Sequence, residues 1–128
     1  MAIEIVSAAV HVSCPLALQA IGEFYMAATR KVKLRPTDVQ PRVSEFLRTF
    51  ETFSCSRSAI LLGSREAAAG RFQFWDAVLL ASAAEFGCTV CFSGDMSDGA
   101  RLDDIVVRNP FGESGLTEAA RQALGLTP

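Results

Sequence analysis

The sequence predicts a single α/β domain, and three observations carry that expectation. Segments with helical spacing alternate with short apolar runs, the pattern that lays helices against a largely parallel sheet. Half of the 128 residues are hydrophobic, ample for the core of one domain of ordinary length. From Arg71 to Gly99 the chain reads as a helix, a glycine stop, a buried strand and an acidic turn.

In chain order, Ala2–Val10 has helical spacing through Ile5, Ala8 and Ala9 but neither cap nor preceding strand, so it reads as the tail of a helix already under way. Cys14–Leu18 follows as a short strand with Pro15 at its start. Gln19–Lys31 forms a helix whose Ile21, Phe24, Tyr25 and Ala28 fall at i, i+3, i+4 and i+7. Glu23 is off that stripe, beside Ala20 and Ala27; it faces solvent or points into a tight acidic site, and the spacing allows both. Arg30, Lys31, Lys33 and Arg35 come next without an intervening acid, either as solvated cations at a helix C-terminus or as phosphate contacts. Pro36–Phe50 predicts a third helix with Val39, Val43, Phe46, Leu47 and Phe50 on one face and Pro41 near its first turn. Thr52–Cys55 reads as an edge strand, and Ser56 or Ser58 caps a helix that runs to Ala69 and stops at Gly70.

The chemistry is expected between Arg71 and Gly99. Asp76 and Glu85 are the only charged residues between Phe72 and Phe92. Asp76 lies among Phe74, Trp75, Val78, Leu79 and Leu80 on a helix apolar all round and so buried on every side. A carboxylate there must be paired, hydrogen-bonded or on a metal; the plainer alternative makes Asp76 the N-cap of a helix starting at Ala77. After Gly87, Cys88–Phe92 is a buried strand. Asp95 falls just past its carboxyl end, where ligands gather in parallel sheets, although Asp95 and Asp98 also suit a plain turn. Asp104–Val107 is a last strand, Asn109–Phe111 closes the core, and Thr117–Leu124 is a small amphipathic helix capped by Thr117.

A net charge of −2 with interspersed signs provides no global field for nucleic acid or an anionic membrane, so any such binding is local. No apolar run reaches the roughly 18–20 residues of a membrane span, and the N-terminus lacks the features of a signal peptide, so a cytoplasmic protein without a membrane partner is expected. Cys88 and Cys91 are spaced to face opposite sides of a strand, and His11 is the only histidine. With Cys14 and Cys55, they read as buried free thiols rather than a zinc or redox site.

Four motifs in order, GluPheTyrMetAlaAlaThrArgLys at 23–31, PheTrpAspAlaValLeuLeuAla at 74–81, SerGlyAspMetSerAspGly at 93–99 and AsnProPhe at 109–111, resemble the PIN-domain ribonucleases. The similarity runs from about Leu16 to Phe111, and the nearest subgroup is the toxin half of VapBC-type toxin–antitoxin pairs. The resemblance implies a three-layer α/β/α sandwich with a mostly parallel sheet, a cluster of acids binding Mg²⁺ or Mn²⁺, and hydrolysis of RNA. Glu23, Asp76 and Asp95 match the catalytic, metal-binding acids, and Asp98 matches a weaker metal position. Arg30, Lys31, Lys33 and Arg35 would contact RNA, and the partners implied are a cognate antitoxin and a second copy in a homodimer. Carboxylates gathered this way repel unless a divalent cation sits among them, and hard oxygen ligands suit those ions.

The sequence departs from the family pattern twice. Ser93-Gly94-Asp95 stands where Ser/Thr-Glu-Asp is usual. The family also opens on a central strand ending in a metal-binding aspartate, and nothing before Glu4 matches it. The expectation is therefore an N-terminally truncated PIN-like domain over 1–111 with its first strand missing and its cleavage impaired, followed by a tail over 112–128. The alternative function is a catalytically inactive PIN-like module that binds RNA, an antitoxin or itself.

Overall fold

A computed structural model of the chain describes residues 15–94, 96–112 and 115–117. The expected first helix, His11, Cys14, Asp95 and the tail beyond Thr117 lie outside those residues. Strand β1 (Leu16–Ala17) runs directly into helix α1 (Leu18–Met26). The helical path expected as far as Lys31 is kept, but its pitch changes: Ala27–Lys31 is a π-helical turn. Val32 N–H closes it onto Ala27 O at 3.1 Å, five residues back, and the Thr29 hydroxyl donates to Tyr25 O at 2.8 Å. Such hydroxyl bonds compete within the helical ladder. Lys33, at φ 61°, then turns the chain away.

Helix α2 (Pro36–Thr49) has Pro36 at its first position, where a missing N–H costs nothing. Pro41 does not share that advantage. It is the sixth helical residue rather than a first-turn one, so it removes the donor that would bond to Thr37 O. Strand β2 (Thr52–Phe53) pairs in parallel with β1, Leu16 opposite Thr52 and Ala17 opposite Phe53. Helix α3 (Arg57–Ala68) is capped by Ser56, whose Oγ accepts Ala59 N–H at 3.1 Å.

Helix α4 (Phe74–Phe86) starts three residues earlier than Ala77 and has Gln73 as N-cap. Asp76 is therefore a first-turn residue and not the cap. Gly87, at φ 104°, ends the helix, and Cys88 N–H reaches back to Ala83 O at 2.9 Å, as a left-handed C-terminal stop requires. The helix is not buried all round: Trp75 is 56% exposed and Phe86 45%. Gly63 sets the approach of α3 to α4, since a Cβ there would stand 2.5 Å from Val78 Cγ2 and 3.2 Å from Val78 N.

Strands β3 (Val90–Phe92) and β5 (Ile105–Arg108) are parallel, and β4 (Arg101–Leu102) lies antiparallel to β5. Asp103, at φ 49°, makes the two-residue turn between β4 and β5. Neither β4 nor the hairpin of β6 (Phe111–Gly112) and β7 (Gly115–Leu116) was visible in the sequence, because two residues are too few to show alternation. The main core gathers Ala59, Ala77, Val78, Leu80, Ala81, Ala83, Leu102, Ile105 and Val107, so it belongs to α3, α4, β4 and β5.

The architecture is thus α/β, with a broken sheet: β1–β2 form one piece and β3–β5–β4 another. Among the described residues no strand bridges β1 and β3. An apolar trough of about 380 Å³ lies there, lined by Leu16, Ala17, Phe50, Leu79, Val90 and Phe92. The expected burial of Cys88–Phe92 consequently fails at Val90, which is exposed. No helix of the described residues is long and apolar enough to cross a membrane.

Candidate functional site

The parallel pairing of β1 with β2 brings their carboxyl ends to one side, where β1 becomes α1 and β2 becomes the Ser54–Ser56 turn into α3. A cavity of about 330 Å³ opens at these ends, lined by Leu18, Gln19, Phe53, Ser54, Trp75 and Leu79 among others. Trp75, Leu79 and Ser82 reach it from one face of α4, four and three residues apart. Ser82 turns its hydroxyl back onto Val78 O at 2.7 Å.

Two of the expected site acids neighbour lining residues of this cavity, Glu23 through a hydrogen bond and Asp76 along the chain, and neither lines it. Glu23 is exposed on α1, and its Oε1 accepts from Gln19 Nε2 at 3.1 Å. Of the two positions its spacing allowed, the structure gives the solvent-facing one. Asp76 follows Trp75 in the first turn of α4 and is half-buried. A carboxylate there meets the unsatisfied N–H groups and positive end of the helix.

Asp98 is placed elsewhere. It is exposed, and its Oδ1 accepts Asn109 N–H at 2.9 Å, which ties the loop after β3 to the end of β5. Glu85, the other lone carboxylate of the apolar stretch, is held by the Ser56 hydroxyl, at 2.6 and 2.9 Å from its two oxygens. It serves the start of α3 and not the cavity.

Among the described residues no group of three or more His, Cys, Asp or Glu side chains comes together as a metal ion would need; Asp95, one expected member, lies outside them. The donor chemistry of the flanking acids still fits a hard divalent cation, because both offer only carboxylate oxygen.

Arg30, Lys31, Lys33 and Arg35 are all exposed. Arg35 is not a free cation, however, since its Nε donates to Asp38 Oδ2 at 2.8 Å. The i, i+3 spacing across the start of α2 was the signal for that pair. Cys55 is an exposed free thiol and Cys88 a half-buried one. Burial pushes the Cys88 thiol above its ordinary range. The expectation of buried thiols fails at Cys55.

Sequence reasoning missed the cavity and the part of Trp75 in it. The available signal was a single tryptophan next to the first of the two carboxylates of an apolar helix. No family model matches the chain, and no curated protein matches it.

Proposed function

We propose that the chain is a PIN-like domain of VapC type, a three-layer α/β/α sandwich in the family sense, acting as a metal-dependent endoribonuclease and as the toxin half of a toxin–antitoxin pair. One observation carries the reading: Asp76, a half-buried carboxylate in the first turn of an apolar helix, directly follows Trp75, which lines a cavity at the carboxyl ends of two parallel strands. Ligands collect at that edge of a parallel sheet. The four motifs quoted above support the family.

In this reading Asp76, Asp95 and Glu23 hold Mg²⁺ or Mn²⁺, with Asp98 a weaker contributor. The bound cation supplies an activated water and neutralises charge building on a phosphodiester. Glu23 keeps Oε2 outside its bond to Gln19, and Asp76 lies in the first turn of α4, where the helix end favours a carboxylate. Lys31, Arg30 and Lys33 offer cations to the RNA backbone, and Arg35 does so less because Asp38 shares its charge. An antitoxin, a homodimeric partner and a cytoplasmic setting belong to the same proposal.

A second reading, a catalytically inactive module that binds protein or RNA, is favoured by the trough between β1 and β3. Large exposed apolar surface marks interaction sites.

The deciding measurement is cleavage of single-stranded RNA by this chain with Mg²⁺ or Mn²⁺, with EDTA, and by Asp76→Asn. Metal-dependent cleavage that Asp76→Asn abolishes is expected. A folded chain that cuts no RNA under either metal overturns the enzyme reading and leaves the binding module.

A further inference from the structure

We infer that the cavity at the carboxyl ends of β1 and β2 is a slot for one base of single-stranded RNA, with Trp75 as its stacking platform. The inference rests on the nuclease reading above. Trp75 is the chain's only tryptophan, and more than half of it stays exposed although it sits on the most apolar helix of the fold. Phe74 holds the indole, the ring centroids 4.8 Å apart and the planes at 69°.

The slot has the chemistry a base requires. Leu18, Phe53 and Leu79 give it apolar lining, and Gln19 and Ser54 add an amide and a hydroxyl to the same lining. Gln19 spends one amide hydrogen on Glu23 and keeps its carbonyl and a second N–H for the edge of a base. Splayed bases of single-stranded RNA are held in this way, by an aromatic face and hydrogen bonds to their edges.

Position and charge agree with that assignment. Glu23 is hydrogen-bonded to Gln19 and Asp76 follows Trp75 in the chain, so both acids neighbour residues that line the slot. The chain's net charge of −2 provides no long-range attraction for RNA, which leaves local contacts, stacking among them, to supply the affinity.

Trp75 emission reports the contact directly, because no other tryptophan contributes. The titration uses single-stranded oligouridylate and oligoadenylate, and an abasic strand of the same length, at 4 °C with Mg²⁺. Anisotropy of a labelled strand is followed in parallel, and the RNA is checked intact on a gel. Saturable quenching by both base-bearing strands and none by the abasic one is expected. Trp75→Ala should weaken binding roughly ten- to a hundredfold, with Trp75→Phe within about threefold of the parent.

Anisotropy that rises with no change in emission, or Trp75→Ala binding as tightly as the parent, overturns the slot and leaves the nuclease reading standing. Cleavage at 37 °C by a sample whose emission RNA never changes does the same. Neither binding nor cleavage by the folded chain removes both. Since Trp75 is exposed, its truncation should leave the thermal midpoint unchanged, and circular dichroism checks this.

Discussion

Ser56 makes two contacts that locate the start of α3: its hydroxyl accepts Ala59 N–H and donates to the Glu85 carboxylate. Ser56→Ala should destabilise the fold by about 1–2 kcal/mol in urea unfolding, and Glu85→Gln, which keeps the cap, by less. Gly63→Ala should cost about 1–3 kcal/mol, because the added methyl meets Val78 side chain and backbone. The Arg71 guanidinium donates to Glu66 at 2.6 and 3.1 Å and holds its carboxyl below the ordinary value of 4.5. A depressed carboxylate contributes stability that is present above the unfolded pKa and lost as pH falls through the folded one. Glu66→Gln should therefore lower the thermal midpoint slightly above about pH 4.5 and converge with the parent as pH falls below it. Among the described thiols, Cys55 should alkylate well before Cys88, which burial keeps protonated; peptide mass spectrometry reads the order.

Among the described residues the helices were legible to within a turn, because their apolar spacing and boundary residues point the same way. Ser56, Gly70 and Gly87 all mark boundaries as expected. Pitch was not legible: the π turn at Ala27–Lys31 rests on which carbonyl each N–H selects, and a hydrophobic stripe carries no record of that choice. Strands were harder still, since β1, β2, β4, β6 and β7 have two residues each and pairing rather than pattern defines them. Pro41 is a residue whose identity opposes its element. Pro41→Ala should restore the missing bond in α2 and raise stability by about 1–2 kcal/mol, after the gain in freedom of the unfolded chain is deducted; an unchanged urea midpoint would show that α2 already bends to relieve the clash.

The candidate site was legible as a set of acids and illegible as a place. Asp76 stood out because its neighbours are apolar, whereas the solvent-facing turn of Glu23, the tie from Asp98 to Asn109 and the cavity beside Trp75 come from tertiary packing. Charge runs misled at Arg35, where an acid three residues on takes the cation.

The break in the sheet reaches beyond the site. The main core draws on α3, α4, β4 and β5, while Ala17, Ile21, Ala28, Val39 and Phe50 are buried outside it, and among the described residues β1 pairs with β2 alone, as from Leu16 N–H to Glu51 O. A sheet transmits cooperativity through its ladder, so a break in the ladder divides the molecule into units that open independently. Amide protons of β1 and β2 should exchange with deuterium through a local opening, in time with α1 and α2, while those of β5 and α4 wait for global unfolding. The segment from Leu16 to Phe53 would then lose and regain its structure many times within the lifetime of the core of α3, α4, β4 and β5.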